Sequence, residues 1–350
     1  MNLSIKRKIK VLVVDDSLLF RETIVQGLSK DEGLEVVGTA ADAYSARDKI
    51  LELQPDVMTC DVEMPRMNGV EFIKKLMPQY PMPVVMVSSA TQTVFDALNA
   101  GAVDFVAKPD NPAHGIDAFI SELVIKVKIA STAKVGKLKH SYQSEKENAV
   151  SGGKIANSDV IIAIGASTGG TEAILEVIKD LPRETPGIVV VQHMPPVFTK
   201  MYADRLNNVC KIEVKEAQTG DVVRPGLALI APGGFQLKVV RDHGGYFVKC
   251  YEAEKVNGHA PSVDVLFDSV AEEAKDKAVG VILTGMGSDG AKGLLKMRKN
   301  GAFTLGQDEK TAVVYGMPMV AYNIGAVQKQ FPLSAISGEM LNYLKEKKYI

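Results

Sequence analysis

Asp159-Val160-Ile161-Ile162-Ala163-Ile164-Gly165-Ala166-Ser167-Thr168-Gly169-Gly170 opens as an apolar, β-branched run and ends on a serine among small residues. An unbroken apolar run of this length suits a strand buried on both faces of a parallel sheet. The small residues after it suit a tight turn into a helix whose first backbone N–H groups stay accessible. The same strand-then-turn form recurs twice. His193 follows Val189-Val190-Val191-Gln192, and Asp289 lies in Thr284-Gly285-Met286-Gly287-Ser288-Asp289-Gly290. Parallel sheets align the carboxyl ends of their strands along one edge, so these three residues can meet in one crevice.

Working outward, strands are expected at 160–164, 188–192, 227–230, 279–283 and near 302–305. Helices are expected at Thr171–Lys179, Val263–Ala274 and Ala291–Lys299, and a β-hairpin at Leu237–Val240 and Tyr246–Cys250 around a Gly-containing turn. The first part of the chain alternates in the same way. Strand patterns at Lys10–Val14, Glu35–Ala40, Val57–Cys60, Val84–Val87 and Phe105–Ala107 flank helical patterns at Leu18–Ser29, Ala43–Leu53, Gly69–Met77 and Phe95–Ala100. Between the two parts, Lys134, Lys137, Lys139, Lys146 and Lys154 stand among Ser, Gly, Glu and Asn, a linker by composition. The expected fold class is α/β: two doubly wound parallel-sheet domains, 1–128 and 158–350, joined by a linker at 129–157.

At 350 residues, 46% hydrophobic and 24% charged, the chain suits two soluble globular domains. A net charge of -1 gives no reason to expect nucleic acid or anionic lipid as a partner. No apolar run approaches the roughly 18 residues of a membrane span. The basic start, Met1 to Lys10, runs into Asp15 and Asp16 too soon for a signal peptide. Cys60, Cys210 and Cys250 are few and scattered, so free thiols and a cytoplasmic location are expected.

Asp15 and Asp16 end the first strand pattern and Asp61 the third, neighbours at the switch point of a doubly wound sheet. Each alone reads as a turn or cap residue. Crowded together, three carboxylates need a divalent cation, and oxygen-only ligation suits Mg²⁺. Ser88 and Lys108 close the fourth and fifth strands, adding a hydroxyl and an ammonium able to hold phosphoryl oxygens.

In the second half, Ser167, His193 and Asp289 supply a nucleophile, its base and the acid that orients the base, as in a serine hydrolase. Their order, Ser, His, Asp, differs from that of α/β-hydrolases. Gly165–Gly170 also admits a phosphate cradle, but it lacks the P-loop lysine. A rival reading is a dinucleotide site, since Gly285–Gly290 matches G-x-G-x-x-G, with Asp308 further on. The motif falls late in its domain, whereas that fingerprint belongs to the first β/α turn. Of the other histidines, His114 is expected in a Pro/Gly-containing loop of the first domain, His140 in the linker and His243 in the hairpin turn. His259 is expected to shape a binding loop.

Val14-Asp15-Asp16-Ser17, Cys60-Asp61-Val62-Glu63-Met64-Pro65, Ser88 and Ala107-Lys108-Pro109 resemble the flavodoxin-like receiver domain of two-component response regulators. That resemblance implies a phosphoryl group on Asp61, Mg²⁺ held by Asp15, Asp16, Asp61 and the Glu63 carbonyl, and Ser88 and Lys108 as switch residues. Ile164–Gly170, Gln192-His193-Met194, Ala231-Pro232-Gly233-Gly234, His259–Asp264 and Leu283–Gly290 resemble the Rossmann-like catalytic domain of CheB-type chemotaxis protein-glutamate methylesterases. It implies Ser167 as nucleophile, His193 as base and Asp289 as orienting acid. It also implies the Met286 backbone N–H as oxyanion donor and Thr168 as a support for the imidazole, with no cofactor at the hydrolytic site. The implied partners are methyl-accepting chemotaxis receptors as substrate and a chemotaxis histidine kinase as phosphodonor, for a monomer whose receiver covers the crevice until phosphorylated. Two alternatives stand beside it: a receiver-controlled adaptor without catalysis, and a receiver-controlled dehydrogenase using Gly285–Gly290.

Overall fold

The computed structural model describes residues 7–89, 93–109, 112–136, 159–242 and 245–350, without the side chains of 112–114. The chain divides into two compact units, Met1–Ser141 and Tyr142–Ile350. In the first unit, β1 (Ile9–Val14), β2 (Leu34–Ala40), β3 (Val57–Asp61), β4 (Val84–Ser88) and β5 (Asp104–Ala107) form a parallel sheet of order β2-β1-β3-β4-β5. That is the flavodoxin-like order, and it reverses between β1 and β3. Val11, Leu12, Val13, Met58, Val85 and Met86 are fully buried, which is why these strands read as continuous apolar runs. Helices begin where short polar side chains take orphan amides. Ser17 accepts from Phe20 N before α1 (Leu18–Ser29), Asp42 from Tyr44 N and Ser45 N before α2 (Ala43–Leu53), and Asn68 from Glu71 N before α3 (Gly69–Leu76).

Helix α4 (Thr93–Asn99) is followed by α5 (Pro112–Ala130), which corrects the expected loop around His114. Proline at the first helical position costs no hydrogen bond, so the Pro-containing stretch starts a helix and does not interrupt one. Ile129 and Ala130, expected in the linker, belong to this helix. Residues 137–158, with His140, and the hairpin turn with His243 lie outside the described residues.

The second unit holds seven parallel strands: β6 (Ile161–Ala166), β7 (Gly187–Gln192), β8 (Glu213–Glu216), β9 (Leu227–Ile230), β12 (Ala278–Ile282), β13 (Phe303–Gln307) and β14 (Lys329–Phe331). Their order is β14-β13-β12-β6-β7-β9-β8, so the chain leaves β6 to one side and returns to its other side through β12. The switch point therefore lies beside β6. An antiparallel hairpin, β10 (Gln236–Asp242) and β11 (Gly245–Tyr251), packs on α8 (Val263–Glu273), where Val239 N–H donates to Ser269 Oγ at 3.0 Å. Around the sheet lie α6 (Gly170–Ile178), α7 (Phe198–Val209), α9 (Ala291–Lys299), α10 (Met317–Asn323) and α11 (Leu333–Glu346). The pattern reading missed β8 and β14. Both are edge strands, where charged residues break the apolar run that marks a buried strand. Among the described residues, no helix is long and apolar enough to cross a membrane.

Candidate active site

Register builds the second unit's crevice. Ala166 pairs with Gln192, and His193 N–H continues the ladder to Ala166 O at 3.2 Å. On the other side Gly165 pairs with Ile282, and Ser167 N–H donates to Thr284 O at 3.0 Å. Ser167 and His193 thus leave adjacent strands one residue beyond the sheet. The nucleophile's backbone is pinned further, because its carbonyl accepts from Gly170 N at 2.7 Å and from Gln192 Nε2 at 2.9 Å. The hydroxyl-bearing residue stays half-exposed, while Thr168 is buried behind it with its carbonyl accepting from Thr284 Oγ1 at 2.9 Å.

Asp289 meets His193 across the gap, its Oδ2 lying 2.8 Å from Nε2. The carboxylate also takes the amides at the start of α8: Val263 N donates to Oδ2 at 2.7 Å and Asp264 N to Oδ1 at 3.2 Å. Ser262 Oγ and Asn257 Nδ2 each donate to Oδ1 at 2.7 Å. Burial alone would raise this carboxyl. The bond and charge of His193, with the Asn257 and Ser262 bonds, outweigh burial and hold it well below the usual carboxylate range. An ionised Asp289 only accepts, so Nε2 of the neutral imidazole carries its proton. Nδ1, buried and without a hydrogen-bond partner among the described residues, is the nitrogen left with a lone pair.

Two helix starts are cross-capped. Asp289, just before α9, takes the first amides of α8, while Asp264, in the first turn of α8, accepts from Gly293 N of α9 at 2.7 Å. The Asn257 amide bridges both carboxylates, reaching Asp264 Oδ2 at 2.8 Å. Sequence reading missed Gln192, Asn257 and Ser262 as parts of this site. Ser262 directly before a helical pattern was a visible cap signal, but it points to a residue 27 positions away. His259, expected to shape a binding loop, stacks on the His193 ring.

Met286 follows a tightly held peptide. The Gly285 carbonyl accepts from Gly316 N at 3.1 Å and Met317 N at 2.7 Å, while Gly285 N–H donates to Val314 O at 3.0 Å. In a trans peptide the next N–H points the opposite way, so Met286 N–H faces away from α10. It has no acceptor among the described residues. A Cβ on Gly285 would stand 2.7 Å from Ser167 Cβ, so this peptide lies beside the nucleophile. A Cβ there would also meet Met317 Sδ, so close packing accounts for this glycine.

In the first unit, Val14 pairs with Cys60, which sets the residues beyond β1 and β3 side by side. Carboxylate oxygens of Asp15, Asp16 and Asp61 lie within 4.8 Å of one another. Lys108 Nζ is 2.6 Å from Asp61 Oδ2 and 2.9 Å from Asp15 Oδ2. Burial pushes Asp61 up to about 6, with Lys108 offsetting only part of that. Burial works to lower the Lys108 ammonium, but the two carboxylates outweigh it and raise it. Beyond that ion pair, Asp15 Oδ2 is buried with no further partner among the described residues. An oxygen-only trio of crowded carboxylates fits a hard divalent cation. Glu63 reaches the pocket through its backbone, its N–H donating to Asp61 Oδ1 at 3.2 Å. Gly69 completes the wall, because a Cβ there would lie 2.2 Å from Asp61 O. Ser88 is buried at the end of β4, and Lys108 N–H donates to its carbonyl at 2.8 Å.

An acid pocket at one switch point and a Ser/His/Asp edge at the other define a response regulator carrying an enzymatic domain. Family profiles agree on both parts: the response regulator receiver domain matches residues 11–119, and the CheB methylesterase matches residues 162–340. A protein-glutamate methylesterase/protein-glutamine glutaminase of Syntrophomonas wolfei is 58% identical over 97% of this chain and 99% of its own length. One from Syntrophotalea carbinolica is 53% identical over 98% of this chain and 99% of its own. The crystal structure of the Thermotoga maritima CheB methylesterase catalytic domain covers 54% of this chain and 100% of that one, at 39% identity and TM-score 0.52. The chain belongs to the protein-glutamate methylesterase/protein-glutamine glutaminase family, with its receiver domain in front.

Proposed function

We propose that this chain hydrolyses γ-glutamyl methyl esters, and deamidates glutamines, on chemotaxis receptors under control of phosphorylation at Asp61. The observation that carries the chemistry is the His193–Asp289 bond at the strand end next to Ser167. Ser167 Oγ attacks the side-chain carbonyl while His193 Nδ1 takes its proton, and Asp289 holds the Nε2–H of the imidazolium that forms. The new oxyanion is received by Met286 N–H. The C–O bond to methoxide breaks as His193 returns the proton, so methanol leaves an acyl-enzyme. Water, deprotonated by His193, then releases Ser167 and a free glutamate. With glutamine as substrate the same steps expel ammonia.

Replacing Gly316 tests the oxyanion assignment. A Cβ there would stand 2.7 Å from Gly285 O and 3.0 Å from Met286 Cα, enough to rotate the donor peptide. Gly316→Ala is expected to lower kcat on the order of 10–10² with little change in KM, a fraction of the loss from deleting an oxyanion donor. An unchanged kcat would move the oxyanion site elsewhere.

For control, a chemotaxis histidine kinase is the donor, in a cytoplasmic setting, and Asp61 the acceptor. Asp15, Asp16, Asp61 and the Glu63 carbonyl would hold Mg²⁺, which neutralises the crowded carboxylates and the incoming phosphoryl oxygens when bound. Ser88 and Lys108 would then grip the phosphoryl group. The test is methanol release from methylated receptor membranes. A small phosphodonor with Mg²⁺ is expected to raise the rate, and Asp61→Asn or a chelator to abolish that rise while leaving basal turnover. Loss of basal turnover on chelation would count against a metal-independent hydrolytic site.

A further inference from the structure

The loop ahead of α8 lays a second imidazole on the first. The His259 and His193 rings stack with centroids 3.6 Å apart and planes 11° from parallel. His259 is not loosely placed. Its N–H donates to Val256 O at 2.9 Å and its carbonyl accepts from Val256 N at 3.0 Å, closing a turn through Asn257 (φ 54) and Gly258 (φ 85). The His259 carbonyl also accepts from Gln236 Nε2 at 2.9 Å, and Asn257 is anchored on Asp264 and Asp289. The His193 ring, by contrast, has a single in-plane tether among the described residues, Nε2 to Asp289, because Nδ1 finds no hydrogen-bond partner there. One hydrogen bond leaves a ring free to tilt about its own axis. A flat aromatic neighbour against its face removes that freedom, and reactions of this type are sensitive to such placement.

We propose that His259 is a positioning residue for the hydrolysis: its ring holds the His193 imidazole in the plane from which Nδ1 addresses Ser167. It neither touches the substrate nor takes the proton. The inference rests on the Ser167–His193 reading above, so Ser167→Ala runs beside it as a control.

The experiment measures kcat, KM and the rate of Ser167 labelling by a fluorophosphonate in the full chain carrying His259→Ala, His259→Phe or His259→Gln. Flatness without titration should suffice. His259→Ala and His259→Gln are expected to lose on the order of 10–10² in kcat and in labelling rate, with KM within about 3-fold of wild type. His259→Phe is expected to recover to within about 3-fold of wild type. Wild-type turnover in His259→Ala, or a Phe variant no faster than the Gln variant, overturns the proposal. Should the Ala chain be too unstable to assay, the Phe and Gln pair decides on the same terms. If Ser167→Ala still turns over, the reading of the site itself has failed. An inactive Ser167→Ala beside a fully active His259→Ala sinks only the positioning role.

Discussion

Ser167→Ala is expected to fold as the wild type does and to lose a factor of about 10⁴ or more in methyl ester turnover, as triad members commonly supply. The fold should survive because the bonds that fix this turn are made by the backbone: Ser167 N to Thr284 O, and Gly170 N and Gln192 Nε2 to Ser167 O. None needs the hydroxyl. The acyl-enzyme cannot form without it, so both methanol release and ammonia release should disappear together. Parallel measurement of the two products checks this. Survival of one activity would mean that the two reactions use different nucleophiles, and retention of a tenth of the ester turnover would remove Ser167 from the role.

Asp289→Asn is the second large effect, expected on the order of 10³–10⁴ in kcat. The amide can present its NH₂ to His193 Nε2, which then turns its lone pair inward and leaves Nδ1 protonated. The base would be in the wrong tautomer with the geometry nearly intact. A stability effect should accompany the catalytic one, because the same carboxylate caps α8 through Val263 N and Asp264 N; lost caps cost about 1 kcal/mol. Its pH dependence has a fixed sign. The folded-state carboxyl lies below its unfolded value, so its contribution is present above the unfolded range near 4 and is lost as pH falls further. The melting-temperature gap between wild type and Asp289→Asn should therefore be widest at neutral pH and narrow in acid. A gap independent of pH would show that the carboxylate's charge does not brace the fold.

Much of this site was legible in the chain because the strands are buried on both faces and end in distinctive residues. Ile161–Ala166 and Gly187–Gln192 are buried throughout, so their apolar runs stand out and locate Ser167 and His193 to the residue. Asp15, Asp61, Ser88 and Lys108 were found in the same way. Edge strands Glu213–Glu216 and Lys329–Phe331 carry no such run, since one side of each meets solvent. The loop 256–264 was legible as a binding loop ahead of a helix, but its contacts with His193 and Asp289 were not. Its turn residues, Asn257 and Gly258, are recognisable as a turn, but a turn signal does not say what the turn packs against.

The sequence by itself determined the α/β class, the carboxyl-end placement of Ser167, His193 and Asp289, and the acid trio of the receiver. These follow from local pattern, because burial and strand ends are written in nearby residues. Only the tertiary structure decided which nitrogen of His193 faces Asp289, that His259 covers the imidazole, and that Asp289 caps α8 while Asp264 caps α9. Those contacts join residues 25 to 96 positions apart, and hydrogen-bond direction and ring stacking depend on the register and crossing of whole elements. Short-range periodicity carries no record of either.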